Sequence, residues 1–224
     1  MIEIWVNLFQ FVMLAMALGI TITRAVSTKS RKWLIVSLFF FSYALGDLYW
    51  LMSLIFLGDI PQYGHISEFA WYASYLFLLV LFGQISGQEN KNRHYDRVLF
   101  IIPVFTAASC IYFMQWGDYI NCVICAVLTS IVLWKAGDGL LKAVRDKEHC
   151  HPETRIYGVA VAVIMLEYIE WYASCIWYDN ATASNPYYWI DIILTIAVVS
   201  FLPAVGRRTA TAEITDNNGN VNGR

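Results

Sequence analysis

Charge is scarce in these 224 residues: 14% are Asp, Glu, Lys or Arg, where a soluble domain carries about 25%. The net charge of −2 supplies no basic surface, so no nucleic-acid partner is expected. Proline and cysteine number five each, too few for a proline-rich linker or a disulfide framework. No Gly-x-x-x-Gly occurs in the apolar runs, which removes the commonest close-packing helix motif. What is abundant is apolar and aromatic: 58% hydrophobic residues, with 9 Trp, 14 Tyr and 13 Phe. At about 20 residues per membrane crossing, the chain has room for seven or eight spans.

Apolar runs bounded by polar clusters fall near 5–24, 33–56, 66–85, 98–116, 119–136, 156–178 and 187–206. Backbone groups in hydrocarbon must bond within their own segment, which runs of this length achieve as helices. None alternates with the two-residue period of a membrane β-strand. The expected fold is therefore all-α, a polytopic membrane protein with a seven-helix bundle over 1–208 and a disordered polar tail over 209–224.

The cations set the orientation. Arg24, Lys29, Arg31 and Lys32 occupy the first connection, and Lys91, Arg93 and Arg97 the third. Lys135, Lys142, Arg145, Lys147 and Arg155 belong to the fifth, and Arg207, Arg208 and Arg224 follow the last run. The even-numbered connections hold none and carry Asp59, Asp118 and Asp179 instead. The positive-inside rule then places the N-terminus outside and the C-terminus in the cytoplasm. The leader Met1-Ile2-Glu3 has no positive charge, so the first run is expected to be an anchor and not a cleaved signal peptide.

Five carboxylates lie in or at the edge of spans with no Lys or Arg beside them: Asp47, Glu68, Glu167, Glu170 and Asp191. An ionised acid at the bilayer centre costs about 2.5–3.5 kcal/mol on insertion scales. Protonation, a wet outward cavity or a bound cation would each relieve that cost. Helical spacing continues the acids with aromatics. Tyr43, Asp47 and Trp50 share a face, as do Glu68, Trp71, Tyr72 and Tyr75. Glu167, Glu170, Trp171 and Ser174 share another, and Tyr188, Asp191 and Thr195 a fourth. Carboxylates neutralise an organic cation and aromatic faces attract it. The ligand-binding set expected on this basis is Asp47, Trp50, Glu68, Trp71, Tyr72, Glu167, Glu170, Trp171, Tyr188 and Asp191. Interfacial anchoring by Trp and Tyr accounts for some of the same residues, and Glu68 and Asp191 are near enough to span ends to be ordinary interfacial acids.

Other motifs carry less. Cys122 and Cys125 form C-x-x-C inside an apolar run, without the flanks of a zinc or redox site. The segment 148–153 (Glu-His-Cys-His-Pro-Glu) has no complementary His cluster and suits a solvated loop. No metal site or cofactor is expected. Asn180-Ala181-Thr182 fits the glycosylation pattern on the expected outer side. Trp-Tyr-Ala-Ser occurs at 71–74 and again at 171–174, a pairing that an inverted repeat would also produce.

The stretch from Ala44 to Trp50, Pro61, and the stretch from Ser67 to Phe77 resemble the Gly-Asp-Leu-aromatic helix, Pro-containing outer loop and acid-aromatic-Tyr helix of seven-helix membrane input modules. These modules precede diguanylate cyclases and histidine kinases in bacteria. The resemblance covers spans two and three. It implies a bacterial cytoplasmic-membrane sensory module in which Asp47 and Glu68 match the recurrent acids. Without an output domain, the resemblance further implies a separate cytoplasmic signalling partner reached through the basic loops. Microbial rhodopsins also have seven spans and an Asp in the last, but Thr195 stands where the retinal Lys would follow Asp191, which excludes a covalent pigment. Lysoplasmalogenase-type membrane enzymes carry Gly-Asp and acids in their spans. By that likeness Asp47, Glu167 and Glu170 would be catalytic acid and base.

The first reading is a membrane protein, in contact with lipids, that senses or binds a small cationic ligand in an outward-facing acidic and aromatic pocket. An intramembrane lipid hydrolase and a small proton-coupled transporter are the alternatives.

Overall fold

The computed structural model describes residues 2–58, 65–85, 96–145, 154–177 and 182–206. Asp59, Pro61, Lys91, Arg93, Lys147, the segment 148–153, Asp179, Asn180, Arg207, Arg208 and the tail at 209–224 lie outside the described residues. Seven helices follow one another: α1 (Ile2–Thr28), α2 (Arg31–Phe56), α3 (His65–Ile85), α4 (Ile101–Phe113), α5 (Tyr119–Arg145), α6 (Thr154–Trp177) and α7 (Pro186–Val199). Short 3₁₀ turns flank α4, and the helix of α7 resumes after Ser200 to reach Gly206. With these extensions, all seven are long and apolar enough to cross a membrane. The protein is thus a seven-helix, multi-pass membrane protein.

Several helices outrun their apolar cores. The α1 helix continues to Thr28, and α5 continues to Arg145, where Lys142 pairs with Asp138 one turn earlier at 3.0 Å. Helical hydrogen bonding does not stop where hydrocarbon does, so polar residues extend these ends. Prolines mark the irregularities. Pro103 sits in the first turn of α4, where its missing N–H costs little. Pro203 cannot donate to Val199, and the helix breaks at Ser200, whose hydroxyl bonds the Ile196 carbonyl at 2.8 Å. At the start of α7, Asn185 accepts from the Tyr187 amide at 2.9 Å and donates to the Trp177 carbonyl at 2.8 Å. One side chain therefore caps α7 and ties it to the end of α6.

The α1 helix packs on α2 and α7, α2 on α3, α3 on α5, α5 on α6, and α6 on α7. These six close a ring filled by side chains. The α4 helix lies outside it, on α5, and reaches α6 through aromatics: Phe105 against Tyr168 and Phe113 against Tyr172, with the Tyr172 hydroxyl 3.0 Å from Ser109 Oγ. Phe39, Phe40 and Phe201 are fully buried and form part of the core, Phe39 meeting Phe201 edge-on at 5.1 Å. Large apolar side chains such as Val26, Phe56 and Ile120 point outward and exposed, the arrangement a lipid solvent permits.

Successive helices alternate in direction. Gly206 faces Trp33, Gly137 faces Leu99, and Arg145 pairs with Asp96. The starts of α2 and α4 therefore share one end with the finishes of α5 and α7. Every described Lys and Arg, from Arg24 to Arg155, belongs to that end. Asp96 and Asp138 pair with cations at that end, and the other described acids lie in the interior or toward the opposite end.

Candidate functional site

Four of the five sequence-selected acids converge inside the ring. Asp47 comes from α2, Glu167 and Glu170 from α6, and Asp191 from α7. All four lie within electrostatic reach of the buried Tyr43 hydroxyl. Tyr43 Oη donates to Glu167 Oε1 at 3.1 Å. Trp71 Nε1, from α3, donates to Asp47 Oδ1 at 2.9 Å. The Gln10 side chain approaches Asp191 from α1, and the Tyr187 side chain approaches Glu170. Asp47 is 2% exposed and Asp191 3%, yet Asp47 Oδ2 and Asp191 Oδ1 have no hydrogen-bond partner. Glu167 is buried as well, and Glu170 is half-buried.

The approach of Trp71 depends on Gly46. A Cβ there would stand 2.5 Å from Trp71 Nε1 and 3.0 Å from the Ser67 carbonyl. Bare backbone at 46 thus lets α3 lie close enough for its indole to reach the carboxylate on the next residue. Trp50 adds a second indole, its ring 6.1 Å from that of Trp71.

The remaining acid, Glu68, lies elsewhere. With Phe69, Tyr72, Asp118, Tyr119 and Asn121 it lines a cavity of about 390 Å³ between α3 and the start of α5. The Tyr72 hydroxyl donates to the Asn121 side chain, which fixes that ring as a wall. None of the four interior acids lines this cavity. A second hollow of about 430 Å³ follows the α4–α5 seam, walled by residues such as Pro103, Ala107 and Val127 and by no charged group. Among the described residues, no three His, Cys, Asp or Glu side chains stand close enough to hold a metal ion.

No family model, curated protein or solved structure matches this chain.

The structure therefore divides the single expected pocket. Asp47, Trp71, Glu167, Glu170 and Asp191 come together, with Trp50 beside them, while Glu68 and Tyr72 line the separate cavity. Trp171 turns away from both, its ring edge-on to Phe113 of α4 at 5.5 Å. Tyr188 is buried on the side of α7 that meets Glu3 of α1. Sequence reading missed Gln10, Asn121 and Tyr187. Gln10 carries the same signal as the acids, a polar side chain within an apolar run.

The repeated Trp-Tyr-Ala-Ser acquires a plain reading. Ser74 and Ser174 each bond the carbonyl of the Trp three residues before. One copy lies near the start of α3 and the other near the finish of α6, so both sit at the cation-free end. An inverted repeat would keep the motif at one distance from the helix start. These two copies do not.

Proposed function

We propose that this membrane protein binds a small organic cation in the cavity between α3 and α5, as the ligand-sensing part of a signalling system. The observation that carries the reading is the cavity's composition. Two carboxylates, Glu68 and Asp118, stand with the rings of Phe69, Tyr72 and Tyr119 around about 390 Å³ and no Lys or Arg. That volume is in the usual range for small-molecule sites. The chemistry suits an amine or quaternary ammonium group, neutralised by the acids and held on aromatic faces.

The orientation belongs to the same proposal. Collecting the described cations at one end supports a cytoplasmic assignment for that end, so the N-terminus and the cavity face outward. The likeness of spans two and three to bacterial input modules supports a bacterial cytoplasmic membrane and a separate signalling partner at the cation-bearing face. A lipid-hydrolase reading fits less well. It would need a substrate to reach Asp47 and Glu167, which are enclosed and already accept hydrogen bonds from Trp71 and Tyr43.

The test is thermal melting of detergent-purified protein against tetramethylammonium, choline and primary amines. A ligand present at a hundred times its Kd stabilises the fold by about 2.7 kcal/mol. A saturable rise in Tm that disappears in Glu68→Gln and in Asp118→Asn is expected. A rise of equal size in both variants, or no rise with any amine, overturns the proposal.

A further inference from the structure

The interior acids are separate from that cavity and call for their own occupant. We propose that Asp47, Glu167, Glu170 and Asp191 form a proton-binding site inside the helical ring, exchanging with water at the cation-free end through Glu170.

The groups facing this site can be named helix by helix. The α1 helix supplies Glu3 and Gln10, α2 Tyr43 and Asp47, α3 Trp71, α6 Glu167, Tyr168 and Glu170, and α7 Tyr187 and Asp191. No cationic side chain is among them. Four carboxylates left ionised here would repel one another in low-dielectric surroundings, at a cost no neighbour offsets.

The orphaned oxygens point to the occupant independently. Asp47 Oδ2 and Asp191 Oδ1 are left bare on side chains 2% and 3% exposed, while the other Asp47 oxygen accepts the Trp71 indole. The two carboxyls lie within electrostatic reach of each other across the interior of the ring. A proton meets this need where a metal ion does not, because no three such ligands gather around one point among the described residues.

Glu170 is the entry. It is half-buried where the other three are buried, and Tyr187 beside it lies in the first turn of α7 at the cation-free end. A proton from water binds Glu170, passes to the Asp47–Asp191 pair, and returns by the same path. Only O–H bonds form and break. The occupancy of the site then determines how much charge separates α2 from α6 and α7.

Infrared spectroscopy of the protein in liposomes tests this directly. At neutral pH the wild type should show a protonated-carboxyl C=O band that shifts in D₂O. Asp47→Asn and Asp191→Asn should each lose part of it, and Asp47→Asn keeps an acceptor for the Trp71 indole. Three outcomes overturn the proposal: no such band at neutral pH, a band of wild-type size in both variants, or a band abolished by sodium chloride at constant pH. The last would assign the site to a small inorganic cation. If a variant fails to fold, the wild-type band and its exchange in D₂O still decide.

Discussion

Trp71 reaches Asp47 across the bare backbone of Gly46, the residue immediately before the carboxylate it bonds. A Cβ at position 46 would stand 2.5 Å from the indole nitrogen. Gly46→Ala should therefore push the indole from Asp47 and separate α2 from α3, costing about 1–3 kcal/mol as an overpacked contact. Trp71→Phe removes the N–H while keeping most of the bulk. In the Gly46→Ala background its additional cost should be smaller than in wild type, which a double-mutant cycle of thermal melts would reveal. Additive costs would mean that the two residues do not act through one contact.

Tyr43 and Glu167 join α2 to α6 across the ring. Tyr43→Phe and Glu167→Gln each disturb the bond, and the cycle between them should give a coupling of about 1 kcal/mol, in the range of interhelical hydrogen bonds in membranes. A coupling indistinguishable from zero would show that the 3.1 Å contact contributes nothing to the fold.

Each interior carboxyl that ionises adds a like charge to an enclosed cluster. By linkage, a folded state that retains more protons than the unfolded one loses stability as pH rises. The wild-type Tm should therefore fall between neutral and alkaline pH. Asp47→Asn combined with Asp191→Asn should flatten that fall, and Lys142→Gln, far from the cluster, should leave it unchanged. A wild-type Tm that climbs over the same interval would contradict this.

The orientation predicts labelling from opposite sides. In a Cys150→Ser background, Thr182→Cys should react in intact cells with a membrane-impermeant maleimide, and Lys29→Cys should react only after permeabilisation. Thr182 and Lys29 are both exposed and fall at opposite ends of the bundle. The reverse pattern would invert the bundle and place the Glu68 cavity in the cytoplasm.

The seven crossings were legible because apolar length alone decides them. The helix ends were less so: hydropathy stops near residue 136, while α5 runs on to Arg145 through residues that bond as a helix outside hydrocarbon. The acids could be picked out as polar residues at membrane depth, but one sequence does not say which helices are neighbours. Glu68 and Asp47 both sit beside aromatics at helical spacing. Only the packing of α3 against both α2 and α5 sends Trp71 one way and Glu68 the other. Gly46 offers a close-approach point in the sequence, but which side chain uses it is set only once the Trp71 indole arrives from another helix. Trp171 was misleading for a related reason. The face it shares with Glu170 is wide enough for the acid to turn inward and the indole toward α4.

Ring closure also governs how the molecule is made. The seam between α1 and α7 joins the earliest made of the seven helices with the last. Asp47 is inserted long before Asp191 exists, so during synthesis α2 presents its acid to whatever the insertion machinery provides. Only the arrival of α7 encloses it. The interior is finished late and all at once, whereas α4, docked on the outside of the ring, can take its place as soon as α5 and α6 are made.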